Sequence, residues 1–134
     1  MILDAFFRAT AATDGITIRA APNFLEGQSQ VNAGRWFWSY HIRIENNADE
    51  PVQLLTRHWK ITDGAGAISY VDGDGVVGEQ PVINPGEAHD YVSGCPLPTS
   101  SGSMEGHFRF IRANGSTFLA EIPLFELFAP ATAR

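Results

Sequence analysis

From Trp36 to Glu45 the chain alternates without a break. Trp36, Trp38, Tyr40, Ile42 and Ile44 fall on one side of an extended strand, with Phe37, Ser39, His41, Arg43 and Glu45 on the other. A period of two excludes a helix, whose apolar positions recur every three or four residues. A strand with so many large apolar side chains on one face needs neighbours beside it and a second layer against it.

The rest of the chain has the same grammar: short alternating runs bounded by glycine, proline, asparagine or aspartate. Strands are predicted at Phe7 to Ala11, at Ile16 to Ala20 with Pro22 as its end, and at Val52 to Thr62 after the turn residues Asn46 to Pro51. Ala67 to Val71 returns as a hairpin after the Asp63-Gly64-Ala65-Gly66 turn. A glycine- and proline-rich stretch, Asp72 to Gly86, leads to a strand at Ala88 to Ser93 and a loop at Gly94 to Gly102. Met104 to Ala113 and Thr117 to Ile122 flank Asn114-Gly115, a pair suited to the positive φ angles of a tight hairpin. Seven or eight antiparallel strands without helical period predict an all-β fold. An immunoglobulin- or fibronectin type III-like two-sheet β-sandwich comes first and a closed barrel second. Nothing resembles a linker or a repeat, so residues 1–134 are expected to form one domain.

Stability must come from the core. The single cysteine, Cys95, cannot form an internal disulfide, so Trp38 or Trp59 is expected to anchor the sandwich by packing alone, in a reducing, cytoplasmic setting. Met1 to Ala12 carries Asp4 and Arg8 and lacks the pattern of a signal peptide, and no apolar run is long enough to span a membrane. Membrane insertion is not expected. With a net charge of −6, one lysine and eight scattered arginines, there is no basic stripe to neutralise nucleic-acid phosphates.

Gly73-Asp74-Gly75-Val76-Val77-Gly78 matches G-x-G-x-x-G, a pattern that places phosphate at a helix N-terminus in dinucleotide-binding domains. Here Pro81 and Pro85 forbid the helix, so Gly73, Gly75 and Gly78 are expected to serve backbone shape, with nucleotide or pyrophosphate binding as an alternative. Asp72, Asp74 and Glu79 could share a divalent cation weakly, but their spacing matches no EF-hand. His41, His58, His89, His107 and Cys95 show no metal-ligand spacing. His41 and His107 are expected on polar strand faces, and His58 within the sheet. Ser93-Gly94-Cys95 lacks a nucleophile elbow, and Cys95 has no cationic neighbour in sequence, so no catalytic residue and no cofactor is expected. Trp36, Phe37, Trp38 and Tyr40 offer aromatic area on both faces of one strand, which makes them the candidate surface for an unidentified protein partner or a second copy in a homo-oligomer.

Several stretches taken together resemble the ApaG family: His58-Trp59-Lys60-Ile61-Thr62-Asp63, Gly73 to Pro81, Pro85-Gly86, Tyr91-Val92-Ser93-Gly94-Cys95-Pro96-Leu97, Gly102-Ser103-Met104-Glu105-Gly106 and Glu121-Ile122-Pro123. The resemblance runs from about Phe7 to Leu127; Phe108-Arg109-Phe110 and the tryptophan-rich Trp36 to Trp38 depart from the family's usual pattern. It implies a fibronectin type III-like sandwich in a bacterial stand-alone protein linked genetically to cobalt resistance and magnesium efflux. Similar domains in eukaryotic F-box proteins and a polymerase-interacting protein imply recognition. The expected function is therefore a non-catalytic protein-binding module, ahead of a direct divalent-cation binder and a nucleotide- or pyrophosphate-binding protein.

Overall fold

The computed structural model describes residues 6–131. Alternating runs become strands because inward apolar side chains are buried while outward polar ones stay wet. Nine strands form among the described residues: β1 (Ala9–Thr13), β2 (Ile16–Phe24), β3 (Trp36–Asn46), β4 (Val52–Asp63), β5 (Ile68–Asp74), β6 (Val82–Ile83), β7 (Ala88–Leu97), β8 (Ser101–Arg112) and β9 (Thr117–Phe128). Short 3-10 turns at Glu26–Gln28 and Val31–Ala33 link β2 to β3.

One sheet has the order β1-β2-β3-β7 and the other β5-β4-β8-β9, with the two-residue β6 added beside β4. All pairings are antiparallel. Their inner faces share one core, giving the β-sandwich expected, with one strand more than the seven or eight anticipated because β6 lies hidden in the proline-rich stretch. Ile42, Ile44, Leu54, Phe108 and Phe110 are fully buried, each worth about 1.5–3 kcal/mol of transfer free energy. Trp38 and Trp59 share the anchoring: both are buried, Trp59 against the rings of Tyr40, Phe108 and Phe125, and Trp38 with its Nε1 donating to the Phe128 carbonyl at 3.0 Å.

Several expected boundaries move. β2 continues through Pro22 because β1 stops pairing at Ala20, so the proline sits where β2 has β3 alone as neighbour. β7 continues through Gly94 and Pro96 for the same reason: it is an edge strand. The expected loop Gly94 to Gly102 is therefore mostly strand. Asn114-Gly115 does not form a two-residue hairpin; Gly115 alone has positive φ, and the turn is closed by Arg112 and Ser116. Of the N-terminal stretch read as free of a signal peptide, residues 1–5 lie outside the described residues, and no described helix is long and apolar enough to cross a membrane.

Among the described residues, Asn46 is the one polar side chain other than an aromatic or a thiol that is buried. Its Nδ2 donates to the carbonyls of Glu50 and Ile83, and its Oδ1 accepts from the Ala48 amide, all at 2.9 Å. This side chain welds the end of β3 to β6, which turns the chain back toward β7.

Candidate functional site

A sandwich has two sides where its sheets could meet, and here they differ. On one, β1 and β2 pack against β9. On the other, the edges β5 and β7 leave a groove between the sheets, tied near its ends by Glu79 with His89 at 3.7 Å and by the Gly64 amide on Thr99 Oγ1 at 2.8 Å. The groove has two lobes, of about 490 Å³ and about 350 Å³, and Tyr40, Arg57, Trp59 and Ser93 line both. These four residues form its floor, joined by Tyr91 in the smaller lobe.

Strand register explains the floor. The shift between Leu54 and Thr56 puts Arg57 on the inner side of β4 together with Trp59, while still leaving Leu54 in the core. Arg57 pairs with Gly73 on β5. A Cβ at Gly73 would come within 2.7 Å of the Arg57 guanidinium, so the first glycine of the motif makes room for an arginine. Arg57 Nη1 donates to the carbonyls of Asp74 and Gly75 at 2.9 and 3.0 Å.

On the facing sheet, Tyr91 pairs with Ile42 and Ser93 with Tyr40, which aims Tyr91 and Ser93 inward from β7. Ser93 pairs with Tyr40 across the strands, and its hydroxyl partly offsets the effect of burial on the Tyr40 phenol. The Tyr91 hydroxyl is buried without any hydrogen-bond partner, a condition that costs about 1–3 kcal/mol. Burial raises the pKa of Tyr40 and raises that of Tyr91 well above the ordinary phenol value, and the positive charge of Arg57 opposes both shifts. A wider hollow of about 920 Å³ beneath Phe6 and Leu124 is lined by no such orphaned atom among the described residues.

The rest of the glycine motif is a hairpin. Val76 and Glu79 exchange backbone hydrogen bonds of 2.8 and 3.0 Å around Val77-Gly78, and the Gly75 amide donates to Leu55. Gly75 and Gly78 have φ of 61° and 78°, and a Cβ at Gly75 would overlap the Glu79 carbonyl oxygen. The amides of Gly75, Val76 and Glu79 are thus already committed to protein carbonyls, and the chain proceeds into β6 with no helix.

Half of the candidate aromatic surface, Trp38 and Tyr40, belongs to the core. Trp38 and Tyr40 are only 1% and 6% exposed, because the second sheet covers that face. Trp36 and Phe37 are half-buried, with Phe37 lying over Gly94, whose lack of a side chain admits the ring. The structure also disperses the three carboxylates considered for a cation. Asp72 faces outward and pairs with His58 Nδ1 at 2.6 Å, Asp74 lends Arg57 its carbonyl, and Glu79 faces His89. Among the described residues, no three His, Cys, Asp or Glu side chains converge on a metal position. His58 stacks on His107 and Tyr70 across the outer face, and His41 bonds Asp90 at 2.7 Å. Cys95 is buried in the groove wall, where desolvation pushes its thiol up from 9.0 to about 11, the opposite of an activated nucleophile.

Arg57 and Tyr91 went unselected in the sequence, although a signal existed: Arg57 shares the parity of Trp59 and Ile61, which places a charge on an apolar face.

Comparison with known proteins agrees with the all-β fold and with the family resemblance. Residues 26–112 match the ApaG domain. Protein ApaG of Methylobacterium sp. (strain 4-46) is 48% identical over 124 residues, covering 92% of this chain and 95% of that protein. Protein ApaG of Rhodospirillum centenum is 50% identical over 118 residues, 88% and 91% of the two chains. The crystal structure of the ApaA protein from Bordetella pertussis superposes with a TM-score of 0.84 at 40% identity, covering 87% of this chain and 94% of that one. The chain belongs to the ApaG domain family.

Proposed function

We propose that the protein is a non-catalytic recognition module that takes up an extended segment of a partner protein along the open seam between β5 and β7. The observation that carries this reading is the seam's rim: two unpaired strand edges with Ile68, Val71 and Val92 exposed at 51%, 40% and 57%, and Val77 at 64% in the hairpin after β5. Apolar side chains on a free strand edge invite another chain, and β5 contains neither the proline nor the lysine that commonly blunts such an edge. A partner strand adding to β5 satisfies its free backbone groups, and alternate side chains of that segment enter the groove. Recognition also suits the settings that the family resemblance implies in eukaryotes. The link to cobalt and magnesium is then an effect of what the module binds, since Asp72, Asp74 and Glu79 stand apart.

Affinity capture from the producing organism's lysate tests this. Wild type and Leu119→Asp, a control at a half-exposed site on β9, retain a common partner, and Ile68→Asp combined with Val92→Asp loses it at unchanged melting temperature. Capture indifferent to the seam variant sinks the reading.

A further inference from the structure

We propose that the floor of the groove is a carboxylate-binding subsite, in which Arg57, Tyr91 and the Tyr40–Ser93 pair receive an aspartate or glutamate side chain of the docked segment. This deepens the docking reading and rests on it.

The Arg57 guanidinium and the Tyr91 hydroxyl keep donors without a matching acceptor, and the Tyr40 and Ser93 hydroxyls beside them can donate as well. Arg57 spends Nη1 on the carbonyls of Asp74 and Gly75, while Nε and Nη2 bond no protein acceptor among the described residues and no carboxylate there pairs with the guanidinium. The Tyr91 hydroxyl, buried beside it, has a proton to give and nothing to take it. The Tyr40 hydroxyl and Ser93 line the same space. A planar anion with two acceptor oxygens completes this set: one oxygen on the arginine fork and the other on the phenol.

Three of the neighbouring acids are engaged elsewhere. Asp63 accepts the amides of Ala65 and Ala67, Asp72 holds His58, and Glu79 faces His89. They also set the charge of the ligand. One arginine between walls that carry Asp63 and Asp74 suits a monoanion, whereas a phosphate needs more positive charge than the site offers. The groove continues past the floor in both directions, so the carboxylate belongs to a residue within the segment and not to a chain end. The larger lobe, walled by Ile61, Val71, Leu97 and Met104, takes an apolar side chain next to it.

The test is a nuclear magnetic resonance titration of the full chain with sodium acetate at constant ionic strength. It is followed by acetyl-Leu-Glu-Val-amide and its glutamine counterpart, with inorganic phosphate as the competing anion. Acetate shifts the amides of Gly73, Tyr91 and Ser93 in a saturable way, and phosphate shifts them less. Arg57→Gln weakens acetate at least tenfold. Because Arg57 also holds β5, Tyr91→Phe is the second variant: it removes one oxygen, leaves melting temperature equal or higher, and weakens acetate about threefold or more. The glutamate peptide binds at least tenfold more tightly than the glutamine peptide. Acetate shifts that are scattered, or unchanged in both variants, overturn the subsite. Equal binding of the two peptides at the seam removes the carboxylate and leaves the docking surface. Acetate binding with the expected dependence, but no binding of either peptide, keeps the subsite and removes the docking surface. No shift with acetate or peptide removes both.

Discussion

The two seams of this sandwich are built from the same sheets and end differently. Along β9, the Thr13 hydroxyl accepts the Glu121 amide at 3.2 Å, Trp38 reaches Phe128, and Arg112 pairs with Asp14 at 3.3 Å. Between β5 and β7 there is instead a groove floored by an arginine and an unpartnered phenol. A closed seam satisfies its polar groups internally and contributes stability. The open one leaves donors unsatisfied, and in folded proteins such departures cluster where a ligand completes the set.

The largest expected contrast between the seams is one of stability. Trp38→Ala deletes a side chain that is 1% exposed and bonded across the closed seam, and it is expected to cost about 3–5 kcal/mol. Val92→Ala, on the rim of the open seam, is expected to stay within about 0.5 kcal/mol. Urea denaturation of both measures the difference; similar losses at the two sites would abolish the distinction.

An intermediate effect comes from pH. Tyr40, Tyr91 and Cys95 all face the open seam, and burial raises the pKa of each above its unfolded value. A raised acid contributes stability that is fully present below its unfolded pKa and is lost as pH rises through the folded one. Melting temperature is therefore expected to be flat near neutrality and to fall from about pH 9 upward. Cys95 alone, moved from 9.0 to about 11, accounts for about 2–3 kcal/mol at full ionisation. Calorimetry of wild type, Cys95→Ala and Tyr91→Phe from pH 7 to 11 checks the assignment, and parallel curves for all three would place the loss elsewhere.

The legible parts of the fold were those where one physical term dominates. β3 and β4 announced themselves by alternation, since a face that must be buried writes a period of two into the chain. β6 and the far half of β7 did not, because an edge strand may carry the proline and glycine that otherwise mark a loop. The site was less legible still. Trp36 to Tyr40 looked like surplus aromatic surface because local sequence does not show that a second layer consumes Trp38 and Tyr40, or that Gly94 makes room for Phe37. Arg57 becomes a floor residue only once a register shift in β4 and a glycine on the neighbouring strand are known together.

The smallest expected effect isolates backbone from side chain, because each seam carries a two-residue hairpin with both central residues at positive φ. Near the closed seam it is Asp14-Gly15, with φ of 49° and 82°; beside the open one it is Val77-Gly78, with φ of 48° and 78°. Aspartate visits the left-handed region at low cost, whereas a β-branched residue there is strained. Val77 is 64% exposed, so burial does not compensate. Val77→Asn is therefore expected to raise stability by about 1 kcal/mol. Asp14→Val, its mirror at the closed seam, is expected to lower stability by a similar amount, plus the loss of the Arg112 contact. If Val77 is kept for the partner, Val77→Asn also weakens capture at the seam while raising the melting temperature. A gain in stability with capture untouched would make the strained valine an accident of the turn and confine recognition to Ile68, Val71, Val92 and the groove floor.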